Sequence, residues 1–208
     1  MRILYLYADS KSSKRNNMHM KHILFLFLLS SLLSCMQERE IDPVTKIVNE
    51  WKGKVIKFPQ HLVYTIQGMD TIPFDTSQAQ YKILIYTDSI GCTSCKLKIN
   101  QWKEFIAHLD STMSEDVCFL FFFHSQSVKT IRAELYTSNF KYPVCIDIND
   151  SINKLNNFPN KFDYQTFLLN NQNKILAIGN PINNSAIKEL YLNILHKKIS
   201  IQKYQRQL

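Results

Sequence analysis

Glycine and proline are scarce in this chain, with four and six residues among 208. That excludes collagen-like repeats and Gly/Pro-rich disordered segments. Cysteine is sparse too: five residues are too few to staple a small disulfide scaffold, and the number is odd. No uninterrupted apolar run approaches the roughly 20 residues that a membrane-spanning helix needs. Acidic residues are in deficit, 17 against 25 Lys and Arg, and the resulting +8 would by itself invite a nucleic-acid or membrane reading. What is present is a globular composition, 45% hydrophobic, 20% charged and 12% aromatic. At roughly 100–200 residues per domain, the length holds one domain with additions or two small ones.

The longest apolar run, ILFLFLLSSLL at 23–33, covers about half of the ~30 Å hydrocarbon core. Lys14, Arg15, Lys21 and His22 precede it, and Leu32-Leu33-Ser34-Cys35 follows. A basic flank, a short apolar stretch and then Leu, a small residue and Cys resemble a bacterial lipoprotein signal. The resemblance implies that residues 1–34 are removed and that Cys35 carries the lipid. The protein is then expected to be anchored to a membrane of the bacterial envelope, facing the periplasm or the cell surface. The alternative is a buried amphiphilic helix with an incidental Cys35. Met18 and Met20 permit a later start, which would make residues 1–17 an over-long gene start. Removal of residues 1–34 leaves 174 residues with a net charge of +4, so half of the excess charge belongs to the leader. Several acyl chains hold a membrane firmly, at about 0.8 kcal/mol per buried methylene. Four cysteines remain, in a compartment that permits disulfides.

Residues 35–43 read as a polar tether and 44–80 as an N-terminal extension. In the extension, Val44, Ile47, Val48 and Trp51 recur at helical spacing. Residues 54–58 and 61–66 are predicted strands, and Gln67-Gly68-Met69-Asp70 supplies a turn before 71–74. The extension is expected to add a hairpin or edge to the main domain, placed at 81–198. There the pattern alternates: a strand at 82–87 (KILIYT), a helix over 92–109, and VCFLFFF at 117–123, apolar throughout like a central strand covered on both faces. A helix around Val128, Ile131 and Leu135, a strand at 143–148, a partly helical connection at 151–163, a hairpin of 166–169 with 174–178, and a helix over 187–195 complete it. Residues 199–208 read as a solvated polar tail. The order predicts one α/β domain with a parallel core, a late antiparallel hairpin and helices on both faces.

Gly91-Cys92-Thr93-Ser94-Cys95 stands where a predicted strand gives way to a helix. The unpaired N–H groups and positive dipole end of a first helical turn stabilise a thiolate there. The first cysteine is the expected nucleophile, and the second, one turn deeper, the resolving thiol. Lys96 and Lys98 add positive potential from expectedly solvated side chains. This motif, with TFLLNNQNKILAIG at 166–179, resembles the thioredoxin superfamily, in particular the membrane-anchored thiol-disulfide proteins of bacterial envelopes. The resemblance implies a three-layer sandwich: a central mixed sheet with helices on both faces, carrying the N-terminal hairpin and helix as an extension. It implies reversible disulfide exchange, an oxidoreductase activity in which Cys92 attacks and Cys95 resolves. The redox-active pair itself takes the place of a cofactor. The partners would be dithiols and disulfides of envelope proteins, with a separate membrane redox partner to recycle the pair.

Two departures stand out. The cis-proline position of the family falls on Tyr164, followed by Gln165, in the loop that would face the substrate; a non-proline cis bond costs about 2.5–4 kcal/mol, so a trans bond or a rebuilt loop is expected. The buried acid that relatives carry six positions before the first cysteine is here Tyr86, with Asp88 the nearest carboxylate. Cys118 and Cys145 sit in apolar runs and are expected to fill core. His124 could face the active edge, although a capping or exposed role is the blander reading. No ligand spacing suggests zinc, and nucleic acid is not expected as a partner. The rival functions are a binding or scaffold lipoprotein with a static Cys92–Cys95 disulfide and, more weakly, copper handling.

Overall fold

A computed structural model describes residues 42–90, 96–113 and 116–206. The expected leader at 1–34, the expected lipid site Cys35, and the pair Cys92 and Cys95 lie outside the described residues. The described residues from 43 onward belong to one compact unit.

Three fully or nearly fully apolar strands pair in parallel at its centre: β3 (Tyr81–Thr87), β4 (Val117–Phe123) and β5 (Pro143–Ile146). β3 and β4 match along their whole length, from Tyr81↔Val117 to Thr87↔Phe123. β5 joins the other edge of β4 with Phe122 opposite Cys145. Antiparallel strands complete both sides. β6 (Thr166–Asn170) and β7 (Ile175–Ile178) extend the sheet beyond β3, while the hairpin of β1 (Tyr64–Ile66) and β2 (Asp70–Ile72) adds to β5. The described residues thus form a seven-stranded mixed sheet, β2-β1-β5-β4-β3-β6-β7.

The period-2 alternation of these strands feeds two cores. Ile83, Ile85, Phe119, Phe121, Phe123 and Val144 face one side. Three helices cover that side: α2 (Ile99–Met113), α3 (Val128–Thr137) and α5 (Ser185–Arg206), through Trp102, Ile106, Ile131, Leu135, Tyr191 and Leu195. Both parallel crossovers lie on one face because consecutive strands step in the same direction and right-handed connections then fall on the same side. Leu84, Tyr86, Leu120, Phe122 and Cys145 face the other side. That side is covered by α1 (Pro43–Trp51), by α4 (Ser151–Asn156) and by the extended segments at 56–62 and 72–76. Trp51 anchors α1 against Phe167 and Phe158, with ring centroids 5.4 and 5.9 Å apart. Burying a side chain of this kind is worth about 1.5–3 kcal/mol, which is what holds the short helix to the sheet.

Several elements differ from the sequence expectation for local reasons. Residues 54–58 make only the single bridge Val55↔Lys174, because beyond it both backbone groups of Lys57 turn to the Asn156 side chain, its N–H donating to Oδ1 at 2.9 Å and its O accepting from Nδ2 at 2.8 Å. The first helix of the domain does not run unbroken from the motif: Lys98 has φ +43° and α2 starts at Ile99. β5 stops at Ile146; Asp147 N–H still bonds Phe123 O at 3.0 Å, and its Oδ2 accepts from Ile152 N–H at 2.8 Å, starting α4. Residues 199–206, expected as a solvated polar tail, are helical. With no Gly or Pro between 185 and 206 to end it, α5 continues to Arg206.

Candidate functional site

β3 ends at Thr87, and the chain leaves the sheet at Asp88 toward the Cys92–Cys95 segment. Asp88 is buried, 8% exposed, and accepts three hydrogen bonds. Ile90 N–H reaches Oδ1 at 3.0 Å and closes the turn locally. Lys96 Nζ forms a short charge-assisted bond to the same oxygen, and Gln165 Nε2 donates to Oδ2 at 3.0 Å. One carboxylate therefore ties together the chain entering the motif, the chain leaving it and the turn before β6. Burial alone would raise the Asp88 pKa; the bonds from Lys96, Gln165 and Ile90 outweigh it and hold the carboxyl below its ordinary range. Lys96, expected to be solvated, is instead drawn in, with its side chain 20% exposed and its ammonium over the Phe162 ring at 5.6 Å.

The loop facing this carboxylate is a 3-10 turn, Phe162–Tyr164, closed by Tyr164 N–H to Lys161 O and Gln165 N–H to Phe162 O. No cis peptide bond occurs among the described residues, so Tyr164 stands in trans in a rebuilt loop. Tyr164 is half-buried beneath the Lys161 ammonium, 5.5 Å from its ring. Gln165 is turned inward and 2% exposed; its Nε2 bonds both Asp88 and Pro159 O, and its backbone O accepts Tyr86 N–H at 3.0 Å. Gln165 Oε1 has no partner among the described residues. Beside the turn lies a cavity of about 210 Å³ bordered by Val48, Asp163, Tyr164, Asn180 and Ile187.

Tyr86 does not stand in for the missing acid. Its hydroxyl donates to Asp150 Oδ1 at 2.6 Å, and burial first, then that bond, push its pKa far upward, so it stays protonated. His124 is half-buried, with Nδ1 3.0 Å from Asp147 O and its N–H on Thr87 O, a link between strand ends. Cys118 and Cys145 are free thiols on the α1 face of the sheet, each pushed up to about 11 chiefly by burial. No cluster of three metal-ligating side chains occurs among the described residues. The Asp88–Lys96–Gln165 connection joins positions far apart in the chain; the only trace of it in the sequence is an acid directly after an apolar strand and a lysine directly after the motif.

No protein-family profile matches this sequence, and no curated protein matches it either. Solved structures do match in fold. A thiol:disulfide interchange protein described as DsbE, from Chlorobium tepidum, superposes with a TM-score of 0.50 at 13% identity, over 68% of this chain and 96% of that one. A cysteine-to-serine mutant of PrxQ from Xylella fastidiosa gives 0.49 at 16% identity, over 71% and 96%. The thioredoxin domain of a thiol-disulfide oxidoreductase from Bacteroides vulgatus gives 0.48 at 10% identity, over 67% and 97%. The fold is thioredoxin-like: a mixed sheet between two helical layers, with α1 and the β1–β2 hairpin added at its edge.

Proposed function

We propose that the chain is a lipid-anchored thiol-disulfide exchange protein of a bacterial envelope, in which Cys92 attacks and Cys95 resolves. The observation that carries this reading is the Asp88 carboxylate, buried at the end of β3 and bonded to both flanks of the C-x-x-C segment and to the loop before β6. Held ionised by Lys96, Gln165 and Ile90, this carboxylate fixes the two flanks of the segment against the loop before β6, the fixed frame that a dithiol presented to a substrate requires. The thioredoxin-like fold supports the same reading.

In the reducing direction, the Cys92 thiolate attacks one sulfur of a substrate disulfide and expels the other as a thiolate, which takes up a proton. Cys95, deprotonated in turn, attacks Cys92 Sγ and releases the second substrate thiol. The substrate gains two electrons and two protons, and the chain is left with a Cys92–Cys95 disulfide that a separate membrane redox partner must reduce. Oxidation of a substrate dithiol is the reverse sequence. Tyr164 offers its half-buried face to the substrate segment, while Gln165 serves as a holder of Asp88. Cys35 supplies the anchor; no helix among the described residues is long and apolar enough to cross a membrane.

The test is mechanism-based trapping. Cys95→Ser should accumulate mixed disulfides on Cys92 in cells, and Cys92→Ser should not. Indistinguishable patterns from the two variants would remove the proposal. The rebuilt, proline-free turn at Tyr164 favours the rival, a binding lipoprotein with a static disulfide. That rival requires a redox potential below about −300 mV and a Cys92 inert to alkylation.

A further inference from the structure

A cavity lies at the other end of β3 from the motif. Lys82 is its second residue; six residues of extended chain, about 20 Å, separate it from Asp88. The cavity measures about 470 Å³, a size that accommodates small-molecule ligands. Phe58, Tyr64, Phe74 and Leu120 supply apolar walls, under the segments 56–62 and 72–76 that share the covering of this face with α1 and α4.

Lys82 points into this space because of the strand's own alternation: Ile83 and Ile85 take the helix-covered face, which puts Lys82 with Leu84 and Tyr86 on the other. It is only 7% exposed, yet no carboxylate among the described residues lies within ion-pair distance of its ammonium. Its Nζ donates to the neutral Asn173 Oδ1 at 2.8 Å, in the turn between β6 and β7. Asp75, at the rim, is fully exposed, and its two oxygens accept from Ser77 N–H at 2.8 Å and Ser77 Oγ at 2.9 Å. Burial lowers the Lys82 pKa, against weaker opposing effects of Cys118 and Asp75. An ammonium this buried, answered only by a rim carboxylate already bonded to Ser77, is incompletely compensated, and an anion brought to it would be held in a site of reduced dielectric.

We propose that this cavity binds a small organic acid, with an apolar body against Phe58, Tyr64, Phe74 and Leu120 and a single carboxylate on Lys82. One ammonium sets one negative charge, and the aromatic walls set an apolar body. The site is separate from the thiol chemistry and does not depend on it.

The experiment uses the full chain and displacement of the fluorescent anion 8-anilinonaphthalene-1-sulfonate, with 4-phenylbutyrate and its uncharged counterpart 4-phenylbutanol as competitors. The carboxylate should displace the probe at a concentration at least tenfold lower than the alcohol, the scale of one charge-assisted hydrogen bond. Lys82→Met should abolish that preference. Asn173→Asp should abolish it too while keeping the fold, because it gives Lys82 a built-in counter-ion; Asp tolerates the left-handed conformation of position 173, whose φ is +60°. Failure of the wild type to bind the probe, equal displacement by acid and alcohol, or a preference that survives in either variant would overturn the proposal.

Discussion

Asp88 and Gln165 are 77 positions apart in the chain and meet through a buried 3.0 Å hydrogen bond from Nε2 to Oδ2. That bond attaches the loop before β6 to the end of β3, and the other carboxylate oxygen holds Lys96 on the far side of the motif. A single side chain therefore decides where the two flanks of residues 91–95 sit relative to the turn that contains Tyr164.

Asp88→Asn should expose this dependence on pH. The folded-state pKa of Asp88 is depressed, so the carboxylate contributes stability above its unfolded value of about 3.9 and loses it as pH falls through the lower folded value. At pH 7 the variant should lose about 1–3 kcal/mol, because Lys96 is left partly buried without its partner. At roughly 2–4 °C per kcal/mol for a domain of this size, that is a readily measured fall in Tm. The gap between wild type and variant should close as pH drops below about 4. A gap that is constant with pH would show that the carboxylate charge is not what stabilises this region.

The two core thiols should be silent in native alkylation. Burial raises Cys118 and Cys145 to about 11, so at pH 8 only about one molecule in a thousand carries the thiolate, against roughly a quarter for an unperturbed thiol. Iodoacetamide at pH 8 should label neither in the folded protein and both after denaturation, as read by peptide mass spectrometry. Native labelling of Cys118 at a rate comparable to that of a free thiol would contradict its place in the core.

Much of the architecture was legible because the chain states it redundantly. β4 is apolar at every position, and it is the central strand buried on both sides. The Gln67-Gly68 pair signals a turn, and both residues adopt positive φ. The extension joins the sheet as the β1–β2 hairpin, in line with an edge addition. The parts that were not legible depend on tertiary distance. Lys82 reads as one polar residue in an apolar strand, and nothing local says that Asn173, 91 positions later, will be its hydrogen-bond partner. Lys96 looks solvated until Asp88 is known to be buried beside it. The continuation of α5 to Arg206 was missed for a different reason: charged and amide side chains read as a tail, yet most of them are competent helix formers.

Gly68→Ala should test how the extension is attached. Gly68 has φ +72°, a conformation that costs a residue with a Cβ about 1–2 kcal/mol. The added methyl would also come within 2.8 Å of Ile146 Cδ1 and 2.9 Å of Arg132 Cγ. Arg132 is the more consequential neighbour. Its Nε donates to Gly68 O at 2.6 Å and thereby ties the hairpin turn to α3, so a shift of its side chain weakens a contact between the addition and the parent fold. The loss should be concentrated at the sheet edge, since β1 meets β5 over only two residue pairs, Thr65↔Val144 and Ile66↔Pro143, while β3 and β4 are locked over seven. Amide hydrogen exchange should therefore quicken in Tyr64–Ile66 with little change in Val117–Phe123. Equal loss of protection in both strands would mean that the hairpin is part of the cooperative core; unchanged protection in β1 would mean that the Gly68 turn does not hold it.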